Sequence, residues 1–163
     1  MSETDTKPTE TPPLRLDDFL PYRLSVLSNA ISTKIADIYE TEFSLTIWQW
    51  RIIAVLGEHS GLTATDVAQR TLMDKPTVSR AVTMLLERGL VERITDQEDR
   101  RRMPLALTDA GERIYKSVIP RALESENQVL SVLDPREIAV LHALLTKLSK
   151  AVAPDGLWKD TGA

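Results

Sequence analysis

Cysteine is absent from the 163 residues. That excludes a disulfide framework, thiolate catalysis, a cysteine zinc site and thiol redox sensing through this chain. Histidine occurs twice, as His59 and His142, far apart and with no third ligand in view, so no metal site is expected. No apolar run approaches the roughly 20 residues of a membrane span. The opening MSETDTKPTETPP is polar and proline-rich and lacks the apolar core of a signal peptide. These absences point to a cytoplasmic protein. A Gly-rich phosphate loop and a nucleophile-plus-base pattern are missing too, and the acids Asp17, Asp18, Glu124 and Glu126 read as cap and surface groups. Neither an enzyme nor a cofactor is therefore expected.

Apolar residues make up 42% of the chain and charged residues 27%, the composition of one globular domain with a sizeable core. The net charge of −4 argues weakly against nucleic acid, but its distribution argues the other way. Residues 75–102 carry seven Lys/Arg against five Asp/Glu, and the rest of the chain thirteen against nineteen. Basic charge is thus concentrated mid-chain, with Arg100, Arg101 and Arg102 at its peak.

Residues 1–13 have the composition of a disordered tail. Leu20, Leu24, Leu27, Ile31, Ile35 and Ile38 then follow at helical spacing and form one apolar stripe, with Asp17 or Asp18 as cap. A stripe that long needs cover, which favours a partner chain. A second helix over Thr46–Gly57 turns Ile47, Trp50, Ile53, Ala54 and Leu56 inward, and Gly57 or Gly61 ends it. Thr63 and Asp66 form a capping-box start for a short third helix. Thr71–Met73 is a tight connection, Asp74 caps a fourth helix with Pro76 in its first turn, and Val78, Val82, Leu85 and Leu86 bury one face. Gly89 stops it.

The period then changes from helical to alternating. Leu90–Ile94 and Met103–Leu107 read as a hairpin with a charged tip. Thr108 caps a helix carrying Ile114, Val118, Ala122 and Val129, which Pro120 should kink. Asp134-Pro135 with Glu137 starts a last helix, which carries Ile138, Leu141, Leu145 and Leu148 and stops at Pro154-Asp155-Gly156.

Two short helices, a tight turn, a capped helix and a hairpin with an arginine tip make a winged helix-turn-helix. The fold class is mainly α with a small β-hairpin. On the fourth helix, Lys75, Thr77, Ser79, Arg80 and Thr83 lie off the buried stripe. Short hydroxyls and cations near a helix N-terminus suit base edges and phosphates. An ordinary solvated face is the plainer reading of that helix alone; its pairing with the hairpin favours double-stranded DNA. Three like charges at a hairpin tip gain nothing for folding, whereas a minor groove accepts an inserted arginine. Asp99 can orient one guanidinium by a bidentate pair.

The stretch Leu90-Val91-Glu92-Arg93, Asp99-Arg100-Arg101-Arg102 and Leu105-Ala106-Leu107-Thr108-Asp109-Ala110-Gly111 resembles the wing signature of the multiple-antibiotic-resistance regulator (MarR) family. Leu45-Thr46, Trp50-Arg51, Leu56 and Lys75-Pro76-Thr77-Val78-Ser79-Arg80 match that family's helices, and the resemblance runs over roughly residues 16–152. It implies a homodimer built from the first and last two helices, the recognition helix in the major groove and a wing arginine in the minor groove, with Asp99 and Arg101 at the family's Asp-x-Arg positions. It also implies a repressor on a pseudo-palindromic operator, released by a small anionic, often phenolic, effector. The expected DNA-binding set is Lys75, Pro76, Thr77, Ser79, Arg80, Thr83, Arg93, Asp99, Arg100, Arg101 and Arg102. Trp48, off the stripe of its helix, with Arg51 or His59, is the candidate ligand pocket. The resulting organisation is a tail over 1–13, one domain over 14–153 with dimerisation helices about 16–42 and 108–153 and a winged helix about 46–107, and a tail over 154–163. The rival is a winged helix used for protein contacts, which the acidic net charge would allow; steep salt dependence of duplex binding discriminates against it.

Overall fold

The computed structural model describes residues 13–94 and 102–153. A 3-10 turn, Leu16–Asp18, leads into α1 (Leu20–Phe43), then α2 (Ile47–Glu58), α3 (Ala64–Thr71), α4 (Lys75–Glu87), β1 (Val91–Arg93), β2 (Leu105–Leu107), α5 (Asp109–Leu130) and α6 (Pro135–Val152). The chain is mainly α with one small hairpin, as expected. Among the described residues no helix is long and apolar enough to cross a membrane.

Local side-chain chemistry starts most of these helices. Thr46, Thr63, Asp74, Thr108 and Asp134 each accept a hydrogen bond from a first-turn N–H, and Thr46, Thr63 and Asp134 complete capping boxes with Gln49, Asp66 and Glu137. Each such cap stabilises its helix by about 1 kcal/mol. The expectation for α1 is corrected. Its N-cap is Phe19, with no side-chain cap bond, because Asp17 and Asp18 are taken up by the 3-10 turn. Asp18 instead pairs with Arg15 at 3.3 Å, in the open.

The core lies where the C-terminal half of α1, helices α2 to α4, the hairpin and α5 meet; Tyr39, Leu45, Ile52, Ile53, Val67, Val78, Leu85, Val91, Leu105 and Val118 are all but inaccessible. The inward face of α2 differs from the expected one. Gln49, Ile52, Ile53 and Leu56 are buried, while Ile47 and Trp50 are partly buried and pack against the core edge. Gln49 is a polar residue inside because both ends of its amide are occupied. Its Oε1 accepts the Thr46 N–H at 2.9 Å and its Nε2 donates to the Met84 sulfur at 3.7 Å. Trp50 stacks between Tyr39 and Tyr115, at 5.6 and 6.4 Å between ring centroids. Gly57 does not end α2. It lies within it, where a Cβ would fall 2.6 Å from the Tyr115 ring.

The hairpin is antiparallel, with Val91 opposite Leu107, Glu92 opposite Ala106 and Arg93 opposite Leu105. It is shorter than the expected Leu90–Ile94 and Met103–Leu107. Ile94 still donates to the Pro104 carbonyl at 2.9 Å, but Pro104 has no N–H to return and the ladder stops. On its other side Leu105 donates to the Leu62 carbonyl at 2.9 Å and accepts from Gly61 at 3.0 Å, so the wing base is stitched to the α2–α3 connection. The tip, with Asp99, Arg100 and Arg101, lies outside the described residues, as does the expected stop at Pro154-Asp155-Gly156. Pro120 lies inside α5, which continues through it.

The start of α5 is docked on the end of α4. Thr108 donates through its hydroxyl to the Gly89 carbonyl at 2.7 Å, and a Cβ on Gly111 would sit 2.1 Å from the Leu90 carbonyl oxygen. Backbone cannot yield as a side chain can. Gly111→Ala is therefore expected to destabilise the fold by about 2–3 kcal/mol, the upper part of the range for overpacking. Urea unfolding checks this; an unchanged midpoint would show that α5 shifts freely.

Candidate nucleic-acid interface

The sequence of α4 separates two faces by period. Val78, Ala81, Val82 and Leu85 are buried. Lys75, Pro76, Ser79, Arg80 and Thr83 are exposed and Thr77 is half-buried at the margin. The buried stripe fixes the helix on the domain, so the polar face is presented outward on a rigid support. The Asp74 carboxylate accepts the Thr77 N–H at 2.8 Å, and hydrogen bonding from Thr77 holds that carboxyl below its usual range. Arg80 donates to the Thr77 hydroxyl at 3.3 Å, which steers the guanidinium toward the helix N-terminus. Thr83 donates to the Ser79 carbonyl at 3.0 Å, on the exposed side of the helix.

The wing base brings two more cations alongside. Arg93 and Arg102, with Met103 and Leu105, line a cleft of about 380 Å³ whose other wall is Thr63, Ala64, Thr65 and Val82. Next to it lies an acid outside the sequence-predicted site, Asp66. The Asp66 carboxylate accepts the Thr63 hydroxyl at 2.7 Å and the Thr63 N–H at 2.9 Å. Hydrogen bonding from the Thr63 hydroxyl is the first cause of its lowered pKa; the Thr63 N–H and the charges of Arg102 and Arg70 add to it, against partial burial. The sequence signal was the capping box itself; that Arg102 also faces this carboxylate depends on how the hairpin folds back.

A depressed carboxyl stabilises the folded chain above its unfolded value, and that stabilisation is lost as pH falls through the folded value. For Asp66 the contribution is complete above the ordinary value of 3.8 and disappears in the more acidic range. Thermal unfolding followed from pH 6 down to pH 2 is expected to show a shallower acid decline in Asp66→Asn than in the unmodified chain. Parallel declines would deny Asp66 that role.

Of the candidate pocket residues, Trp48 and Arg51 meet and His59 does not join them. The Arg51 guanidinium carbon lies 5.4 Å from the Trp48 ring centroid, a cation–π pair with Trp48 44% exposed. His59 is the C-cap of α2, eleven residues and about 16 Å further along the helix, where it lies 3.6 Å from Glu58. Among the described residues no cluster of three or more His, Asp or Glu is placed to hold a metal ion.

Known proteins share this fold. A family model described as the MarR family matches residues 43–102, from the end of α1 to the wing. The HTH-type transcriptional regulator FarR of Neisseria gonorrhoeae is 33% identical over 107 residues, which is 66% of this chain and 73% of FarR. The homoprotocatechuate degradative operon repressor of Escherichia coli is 28% identical over 102 residues, 63% of this chain and 69% of the repressor. A MarR/EmrR family transcriptional regulator from Acinetobacter sp. ADP1 superposes with a TM-score of 0.78 at 29% identity, covering 86% of this chain and 99% of that one. MepR of S. aureus, in a complex with DNA, gives 0.73 at 26% over 83% and 98%. PcaV of Streptomyces coelicolor, in complex with its natural ligand, gives 0.69 at 25% over 87% and 99%. The fold and the site define a winged helix-turn-helix regulator of transcription. The chain belongs to the MarR family, and its winged helix is the DNA-binding part.

Proposed function

We propose that this chain is a homodimeric repressor that acts in the cytoplasm, binds a pseudo-palindromic operator and lets it go when a small aromatic or anionic effector binds. The observation that carries the DNA reading is the two-faced α4: four buried apolar residues beneath an exposed face of Lys75, Pro76, Ser79, Arg80 and Thr83, with Thr77 at its margin. That face enters the major groove, where Lys75, Ser79 and Arg80 reach base edges and phosphates. Arg93 and Arg102 flank the wing base, and Asp99, Arg100 and Arg101 extend the wing into the neighbouring minor groove, with Asp99 orienting Arg101.

Dimerisation rests on surface that the single chain leaves uncovered. Leu20, Leu24 and Leu27 of α1 are 48%, 41% and 56% exposed, and Leu144 and Leu148 of α6 are 53% and 42% exposed. The sole buried residue of α6 is Ser149. A two-fold partner covers both stripes with its own first and last helices, through residues near 16–40 and 118–152, and sets two α4 helices about 34–36 Å apart. The repressor assignment draws on the Escherichia coli relative, which is named for that role. The effector assignment draws on PcaV, which holds a ligand, and on the exposed Trp48–Arg51 pair, which offers an aromatic face beside a cation. His59 stands apart from that pair and is the weakest member of the pocket.

Genomic DNA captured by the purified chain and sequenced is the test. Enrichment of a short motif with two-fold symmetry is expected; recovery no different from bulk DNA would overturn the reading in favour of a winged helix that contacts protein.

A further inference from the structure

Arg88 is the C-cap of α4, and its side chain does not stay with its own helix. Its Nη1 donates to the Ser44 carbonyl at 3.0 Å and its Nη2 to the Phe43 carbonyl at 2.6 Å, more than forty residues earlier in the chain. Those carbonyls are the C-terminus of α1. Ser44 closes α1 in the left-handed region at φ 50°. Its N–H returns to the Glu40 carbonyl at 3.0 Å, and the Leu45 N–H returns to the Tyr39 carbonyl at 3.1 Å. That closure uses the Tyr39 and Glu40 carbonyls. The final carbonyls point outward and carry the negative end of the helix dipole. The last turn of α1 contains no basic residue of its own, so the cation comes from α4. One residue earlier, Glu42 is ion-paired with Arg121 of α5. The end of α1 is therefore a junction held by cations from both neighbours.

We propose that Arg88 is a positioning residue for DNA recognition, fixing the direction in which α4 leaves the dimerisation frame and so the spacing of the two recognition helices. This rests on the DNA-binding homodimer proposed above. The buried stripe fixes α4 on the winged domain as one body, so what Arg88 directs is the angle of that body against the end of α1. Two charge-assisted bonds from a planar fork are directional, and a lysine cannot reproduce both. The geometry gives Arg88 leverage. α4 has 13 residues and is about 20 Å long at 1.5 Å per residue. A swing of about 10° at Arg88 moves Lys75 by roughly 3.5 Å, close to the ~3.4 Å rise of one base pair. Loosening this end therefore blurs half-site spacing by about one base pair.

The experiment uses a duplex selected from a randomised pool by the unmodified chain, together with the same duplex carrying one base pair inserted or deleted at its dyad. For the unmodified chain each spacing change is expected to weaken binding about thirtyfold, within the range for one mismatched base pair. Arg88→Ala is expected to bind the selected duplex about tenfold more weakly and to lose at most about threefold on respacing, with an unchanged slope of log affinity against log salt. Arg88→Lys should fall between the two, and serves in its place if Arg88→Ala does not fold. A retained spacing penalty in the variants overturns the proposal even if affinity falls, because general destabilisation weakens all spacings alike. A salt slope smaller by about one per half-site also overturns it, making Arg88 a phosphate contact. Selection of no duplex by the unmodified chain overturns the DNA reading itself and the positioning role with it.

Discussion

A chain carrying Leu144→Glu and Leu148→Glu is expected to be a folded monomer that binds a two-half-site operator at least about a hundredfold more weakly than the unmodified protein, the low end of what linked binding contributes. Both side chains are about half exposed in the single chain, at 53% and 42%, so in the monomer the carboxylates can stay in water. Their effect appears on assembly. Two-fold symmetry places four carboxylates in an apolar seam, each of which costs several kcal/mol to desolvate without a partner. The apolar contacts they replace are each worth roughly 1.5–3 kcal/mol when buried. Light scattering should give one chain mass, 18.3 kDa, with unchanged helical content. A stable folded monomer of the unmodified chain at micromolar concentration would refute the dimer. A monomeric variant that still binds the full operator tightly would refute its role in recognition.

Arg101→Ala is expected to weaken operator binding by about 1–3 kcal/mol, roughly 5- to 150-fold, the value of one well-placed groove contact. Arg51→Ala should leave operator affinity nearly unchanged, since Arg51 lies on α2 against Trp48. Removing one cation changes any salt-dependent affinity a little, so the two variants are compared at a single stated salt concentration. Equal affinities in a fluorescence-anisotropy titration would reject the wing arginine as a groove contact. The loss should also be larger for operators with a narrow flanking minor groove, where the negative potential is greatest.

A determinant is legible in the sequence according to how far along the chain it reaches. Thr46, Thr63, Asp74, Thr108 and Asp134 start their helices because a cap is chemistry within three residues, and sequence shows it directly. The exposed face of α4 was legible for a similar reason, since one apolar stripe divides the helix. The inward face of α2 was not. Gln49 reads as a surface residue until its Nε2 is seen against Met84, 35 residues away. Gly57 reads as a helix stop until Tyr115 is seen packed where its side chain would be. Gly111 belongs to the wing signature, yet its closest neighbour is the Leu90 backbone, which periodicity cannot reveal. Phe19 begins α1 because a 3-10 turn occupies the acids that should have capped it. Trp48 and Arg51 meet because they are i, i+3 neighbours on α2, whereas His59 lies past its end. Arg88 gave no local sign, because its partners are backbone carbonyls of another helix.

The most direct measurement is the salt dependence of binding to a duplex selected by the chain itself, with stoichiometry determined in the same titration. The expected result is saturation at two chains per duplex, with an affinity at least about a thousandfold above that for a scrambled duplex of equal length. The logarithm of affinity should fall steeply and linearly with the logarithm of salt, with a slope that shrinks by about one per half-site when Lys75 or Arg80 is removed. Equal affinity for selected and scrambled duplexes, or a slope indifferent to Lys75 and Arg80, would contradict recognition of DNA by α4.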